Sequence, residues 1–297
     1  MNRGSLLIVT LWIVTILGAL SVAVARYLST EVRLTRYRLA RQEARELARS
    51  GVLVAQQLIR QDSDPVDWSE EPWAQPLTVS PVPGRTQTVT ITDEERKLNV
   101  NTSTSAQLTS LLLGDSVLAQ AIVDHMDPPA PEQEDRPTDD PPYYAKNGPI
   151  AALEELNDVP DMDDARYQTL TSATTPFTAG TAPGGPLNLN TVDDKVLEAV
   201  GLRSGTIQTI LQYRSGTEHF VQTGLELISF LESQGLVLDD VDERNLLASQ
   251  LFAVSSQFFL VVSEGAVESP NVRVRIQAVI QRGAGSETPK ITAWKEL

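Results

Sequence analysis

Cysteine is absent from the 297 residues. The fold therefore uses no disulfide, no thiolate metal site and no cysteine nucleophile. Histidine occurs twice, as His125 and His219. Neither has Ser/Asp or metal-ligand spacing around it, and no HExxH, P-loop or Gly-x-Ser-x-Gly sequence is present. An enzyme is not expected. Basic residues are scarce beyond residue 61. Residues 1–61 carry nine Arg against three Glu, a net of +6, whereas the remainder carries 15 Lys and Arg against 36 Asp and Glu, a net of −21. A surface that acidic repels nucleic acid and attracts cations.

Long apolar runs are missing too, except for one. Residues 5–25 (SLLIVTLWIVTILGALSVAVA) contain no charge. As a helix they rise about 31 Å, which matches a ~30 Å hydrocarbon core. A cleaved secretory signal has a shorter apolar region of about 7–15 residues and an A-x-A-like site. Here Arg26 follows Ala25 at once, so the run reads as an N-terminal anchor. Residues 26–60 contain no Pro and only Gly51, among many good helix formers. Glu43 and Leu47, and Leu47 with Val54, recur at helical spacings, and Asp64-Pro65 ends the pattern. One continuous helix from about residue 5 to about residue 61 is expected. Its first half lies in lipid and its second half is a stalk. Arg26, Arg33, Arg36, Arg38, Arg41 and Arg45 follow the anchor directly. By the positive-inside rule alone they would hold the following domain in the cytoplasm. The interleaved Glu31, Glu43 and Glu46 imply that many of these arginines are paired along the helix surface.

Beyond the stalk, Trp68 and Trp73 are expected to pack a turn against it. Residues 77–79 and 86–92 read as a strand pair around the Pro83-Gly84 turn. An internal repeat follows. Leu98-Asn99-Val100-Asn101-Thr102 recurs as Leu187-Asn188-Leu189-Asn190-Thr191. Each copy precedes a helix (106–113; 194–200), a break at Gly114 or Gly201, and a second helix. Asn and Thr at these positions suit a helix start. The second copy resembles a helix-hairpin-helix unit, which often binds DNA phosphates through a Gly-rich hairpin. The first places Asp115 where a phosphate would sit, and with the acidic balance a scaffold role is preferred to DNA binding. Residues 124–144 form an acidic loop with six prolines and seven Asp or Glu. Such a loop either is simply solvated or supplies oxygen ligands to a hard cation. Residues 150–159 read as helix, with Glu154 and Glu155 on different sides, so they are not an acid/base pair. Residues 171–185 read as a linker, and 220–234 and 241–249 as helices. Three strands close the chain, at 252–262, 272–281 and 290–294, with turns marked by Gly265 and by Gly283-Ala284-Gly285. In the middle one Val272, Val274, Ile276 and Ala278 alternate with Arg273, Arg275 and Gln277, so one face packs and the other meets water.

Gly4 directly before the apolar run, the unbroken anchor and stalk, and the late strands resemble a type IV pilin or type II secretion pseudopilin. In that family a prepilin peptidase cuts after the Gly, here between Gly4 and Ser5, and methylates the new N-terminus. Most members carry Glu at the fifth mature residue, which is Val9 in this chain. The subgroup known to lack it is the general secretion pathway protein K family of minor pseudopilins, whose helical insertion also carries NVNT- or NLNT-like repeats. A carboxylate in the bilayer needs a partner, and a subunit with nothing stacked above it offers none. The resemblance implies an α+β fold: a long N-terminal transmembrane and stalk helix on an antiparallel pilin-like sheet, with a large all-α insertion containing two helix-hairpin-helix-like (SAM-like) repeats. It divides the chain into a leader (1–4), a transmembrane helix (5–25), a stalk (26–61), the first part of the pilin-like domain (62–97), the insertion (98–250) and the closing strands (251–297). It implies an inner-membrane protein with its C-terminal domain in the periplasm. The implied partners are other minor pseudopilins in a tip complex, prepilin peptidase, the inner-membrane secretion platform and membrane lipid, with no nucleic acid. The alternative from a different class is a membrane-anchored DNA receptor of the competence type. Relatives are expected to bind calcium near the acidic loop through Asp-aromatic-x-Asp-x-Asp and a later acidic pair before Tyr. Asp124 and Asp127 match, His125 replaces the aromatic, Pro129 replaces the last Asp, and Asp139 and Asp140 match the later pair.

Overall fold

The computed structural model describes residues 3–62, 65–128, 143–215, 220–236, 238, 241–283 and 287–297. Helix α1 runs without a break from Arg3 to Gln61. Its apolar part is long enough to cross a membrane, and none of that part is buried inside the protein. Two strands follow, β1 (Leu77–Val82) and β2 (Arg85–Asp93), and then a two-residue strand, β3 (Leu98–Asn99). The insertion comprises α2 (Ser105–Leu111), α3 (Ser116–Met126), a 3-10 turn at Leu153–Asp158, α4 (Asp164–Ala173), the short strands β4 (Thr174–Thr175) and β5 (Leu187–Asn188), and the helices α5 (Asp194–Ala199), α6 (Ser204–Arg214), α7 (Gly224–Ser233) and α8 (Val241–Leu247). The short strand β6 (Phe252–Ala253) leads out of it to β7 (Phe258–Val267), β8 (Val272–Gln281) and β9 (Lys290–Glu296).

The main sheet is antiparallel, in the order β1-β2-β7-β8-β9. Strands from both ends of the sequence therefore meet at its centre, with the helical part inserted between β2 and β7. The second half of α1 lies across this sheet. Ala40, Ala44, Ala48, Val52, Ala55 and Ile59 are buried, spaced so that they share one helix face. Ala48, Val52, Ala55 and Ile59 cover Val89 and Ile91 of β2, Phe259 and Val261 of β7, and Ile276, Ala278 and Ile280 of β8, while Ala40 and Ala44 pack with Val267, Val272 and Val274. Small residues on the stripe let the helix approach closely. A Cβ on Gly51 would meet the Ser263 Oγ at 2.1 Å. Trp73 joins this core edge-on to Phe259. Trp68 stacks on Phe220 of the insertion, with ring centroids 5.2 Å apart.

The repeat gives two equivalent substructures. β3 pairs in parallel with β4, and β5 pairs in parallel with β6. In each copy the first Asn side chain accepts from the backbone N–H of the second: Asn99 Oδ1 from Asn101 at 2.9 Å, Asn188 Oδ1 from Asn190 at 3.0 Å. The second Asn then clamps a distant segment with two bonds. Asn101 exchanges them with Ile150, and Asn190 with Val221. Each copy has its own apolar core, one around Leu108, Ile122 and Leu156, the other around Leu197, Ile210 and Leu231.

Several expectations need correction. Gly265 does not mark a turn but sits inside β7, which runs five residues past 262 and begins six after 252. The segment expected as helix at 150–159 is a 3-10 turn. Residues 164–173 form α4, which takes in 171–173, read from the sequence as the start of a linker; 164–170 carry no assignment from the sequence. In the first hairpin Leu113 takes a positive φ of 55° and is 95% exposed, at the position where the second copy has Gly201 at φ 99°.

Candidate functional site

The processing position lies within α1: Gly4 and Ser5 are in its first turn by backbone. Val9 is in the same helix and 54% exposed. Among the described side chains, those from Ile8 to Leu39 are all exposed. Of the arginines after the run, Arg49 pairs with Glu46 on the helix, Arg45 reaches Glu296 of β9, and Glu43 binds Arg85 of β2. Arg26, Arg33, Arg36, Arg38 and Arg41 have no ion pair among the described residues. The expected pairing along the helix surface is thus confined to one pair.

Asp124 lies in the last turn of α3 and Asp127 caps it. A spacing of three places them on one side of the helix end. The Asp124 carboxylate accepts from Gln120 Nε2 at 2.7 Å. Asp127 Oδ1 is buried without a hydrogen-bond partner among the described residues. That oxygen is suited to a cation, because an unpaired buried carboxylate oxygen is costly. Asp139 and Asp140 lie outside the described residues. The chain re-enters at Tyr143, whose hydroxyl is 2.9 Å from His125 Nδ1 and whose ring stacks on the imidazole. Burial holds the His125 ring below the usual histidine range. Asn147 N–H then donates to the His125 carbonyl. His125 is therefore the post to which both ends of the acidic segment are tied. His219 lies outside the described residues.

A buried polar junction, not foreseen from the sequence, joins the sheet to the insertion. Asn188 Nδ2 is placed between the Asp67 carbonyl, Asp93 Oδ2 and Ser256 Oγ, at 3.1, 3.1 and 2.8 Å. Thr191 and Ser256 hydroxyls also donate to Asp93 Oδ2. Glu95 accepts from the N–H groups of Ala179 and Gln257. Burial pushes the Asp93 carboxyl up and raises Glu95 to about 8, with the neighbouring Asp93 charge adding to the Glu95 shift. Burial likewise raises Glu71 to about 7. Carboxylate oxygens of Asp62, Asp67 and Glu71 lie close together, but Arg282 fills the place a metal would take. It grips Asp67 with both Nη atoms, at 2.9 and 2.6 Å, reaches Asp62 at 2.6 Å, and sits 4.9 Å over the Phe259 ring. The partners of these carboxylates, Asn188, Ser256 and Arg282, lie far from them in the chain, so no local motif announces the junction.

The hairpins hold their charges internally. Asp115 caps α3 and pairs with Arg166 at 2.8 Å. Arg203, the basic residue of the second hairpin, pairs with the buried Glu243 at 2.8 and 2.5 Å. Glu154 binds Lys295 of β9, while Glu155 binds Lys146. The two glutamates point to different partners, as their adjacency in sequence implies.

No protein-family model matches the chain, and no curated protein matches it. Among solved structures, a chain in the crystal structure of the GspK-GspI-GspJ complex from the enterotoxigenic Escherichia coli Type 2 Secretion System is similar. The TM-score is 0.70 at 21% identity, over 88% of this chain and 98% of that one. The two share a fold: an α+β architecture with a long N-terminal helix on an antiparallel sheet and a helical insertion.

Proposed function

We propose that the chain is a minor pseudopilin of type II secretion, of the protein K kind, and that it acts by binding. The observation carrying this reading is the fold likeness over 88% of the chain to a member of a pseudopilin complex, joined to an apolar helix that continues unbroken into the stalk. On this reading residues 5–25 anchor the protein in the inner membrane and the head lies in the periplasm. The head, enlarged by the insertion, is too bulky to repeat along a filament. It caps the tip of the pseudopilus with other minor pseudopilins and helps start its assembly on the inner-membrane platform. Prepilin peptidase cuts between Gly4 and Ser5, and Val9 replaces the carboxylate that would otherwise seek a subunit above it. Calcium binds at the acidic loop through Asp124, Asp127, Asp139 and Asp140. The support is the orphaned buried oxygen of Asp127.

The mass of the N-terminal peptide from membrane-isolated protein tests this reading. A chain beginning at methylated Ser5 is expected. An intact Met1 in a host with active prepilin peptidase would overturn it. The competence-type DNA receptor makes a different forecast, strong salt-dependent DNA binding by the head. The internal pairing of Arg203 with Glu243 speaks against it.

A further inference from the structure

We infer that the neck of α1, between the apolar run and the head, binds the phosphates of anionic phospholipids through Arg26, Arg33 and Arg36. The inference rests on the membrane-anchored reading above. Ala40 is the first residue of α1 buried against the sheet, so residues 26–39 form an exposed neck. This neck carries four arginines and a single acid, Glu31. Glu31 lies five residues after Arg26 and two before Arg33, spacings that face away from both. None of Arg26, Arg33 and Arg36 has an ion pair among the described residues.

Position along the helix selects the counter-ion. Arg26 directly follows the last apolar residue. Arg33 is seven residues on, about 11 Å along the axis and on nearly the same face. The headgroup layer is roughly 5–7 Å deep on each side of the hydrocarbon core. Helical side chains lean toward the helix N-terminus, here toward the membrane, and an arginine stem is long enough to return its guanidinium to that layer. Tyr27, 65% exposed, supplies an interfacial aromatic at the same level. Above it, Arg33, Arg36 and Tyr37 line an open groove with Ser269 and Pro270 of the β7–β8 turn and the Glu43–Arg85 ion pair, whose charges offset each other, so a headgroup drawn upward meets two guanidinium groups beside the head. The same contact offsets the cost of placing arginines on the head's side of the membrane, which the positive-inside rule disfavours.

The test uses the full chain in vesicles of phosphatidylcholine containing a minor share of phosphatidylglycerol. Electron spin resonance compares the motional restriction of spin-labelled phosphatidylglycerol and phosphatidylcholine. Each basic residue near an anionic surface contributes up to about fivefold in association at low salt. A selectivity for phosphatidylglycerol of about threefold or more is expected, falling toward unity in high salt. The triple variant R26Q/R33Q/R36Q is expected to lose it. R45Q/R49Q, whose arginines sit about 30 Å or more beyond the run, is expected to keep it. Restricted lipid without headgroup preference in the wild type would overturn the inference and assign the arginines to an acidic protein partner. Preference retained by the triple variant would also overturn it. No restricted lipid of either kind would overturn the anchored reading itself.

Discussion

Gly265 of β7 and Ala44 of α1 touch backbone to backbone: a Cβ built on Gly265 would lie 2.0 Å from the Ala44 carbonyl oxygen and 2.8 Å from the Ala48 nitrogen. No rotamer relieves such an overlap, because both obstacles are main chain. The helix must lift off the sheet, and the Ala48–Val261 layer opens with it. Gly265→Ala is therefore expected to cost about 1–3 kcal/mol, the range for overpacked cores. Gly18→Ala, with nothing within 4 Å, is the control and is expected to be neutral. Denaturant titration of the full chain in detergent, followed through the fluorescence of Trp73 in the same core, reads both. Equal midpoints for the two variants would show that the helix does not lie where this contact puts it.

The same glycine shows where sequence reading failed. Glycine in an apolar stretch reads as a turn, and Gly265 was expected to end a strand. Its φ and ladder are those of an ordinary strand residue, and the missing side chain serves a neighbour 221 positions away in sequence. Features set by local periodicity were legible: the unbroken α1, the alternation of β8, and the paired Asn-x-Asn-Thr repeats with their hairpins. Features set by long-range encounter were not. Nothing near Asp93 forecasts that Asn188 and Ser256 will converge on it, and nothing near Trp68 forecasts Phe220. Of the candidate site residues, Asp124 lies in the last turn of α3 and Asp127 caps it, while Asp139 and Asp140 lie outside the described residues.

The two Asn clamps give a comparison within one molecule. Asn190 and Asn101 make the same pair of bonds to buried targets, Val221 at 0% and Ile150 at 2% exposure, but Asn190 is itself buried at 5%, whereas Asn101 is half-buried, so solvent can reach the Ile150 groups once its side chain is removed. An unsatisfied buried backbone group costs about 1–3 kcal/mol, and solvent relieves it at an open site. Asn190→Ala is expected to destabilise the insertion by roughly 2–4 kcal/mol, and Asn101→Ala by less. Hydrogen exchange at the Val221 and Ile150 amides measures the two separately. A larger effect at Asn101 would refute the burial argument.

The junction carries a pH dependence whose sign follows from Glu95. Its folded carboxyl is raised to about 8 by burial and by the neighbouring Asp93, whereas an unfolded Glu titrates near 4.3. Between those values the folded state holds a proton that the unfolded state has released. The contribution of Glu95 to stability is thus fully present below about pH 4 and is lost as pH rises through about 8. Asp93, raised by the same burial, acts in the same direction. The melting temperature is expected to fall between pH 5 and pH 8 relative to a Glu95→Gln variant, whose side chain no longer titrates. Parallel profiles for wild type and variant would place the proton elsewhere.

Calcium at the acidic loop makes the remaining forecast. A cation held by Asp127 binds the folded chain and not the unfolded one, so it stabilises by mass action, about 2.7 kcal/mol at a hundredfold excess over its dissociation constant. Adding calcium is expected to raise the melting temperature of the full chain, and chelation to reverse it. The loop leaves α3 at Asp127 and returns at Tyr143 beside His125, so the gain falls on the first repeat. Exchange at the Asn147 amide, bonded to the His125 carbonyl, reports it locally. Asp127→Asn keeps the shape of the helix cap but withdraws the charge, and is expected to abolish the calcium response. In calcium-free buffer it should match or slightly exceed the wild type, because it no longer buries an unpaired carboxylate oxygen. That second readout separates a ligand from a structural residue. A variant destabilised equally with and without calcium would mean that Asp127 serves only as a cap, and a wild type indifferent to calcium would remove the metal from the proposed function.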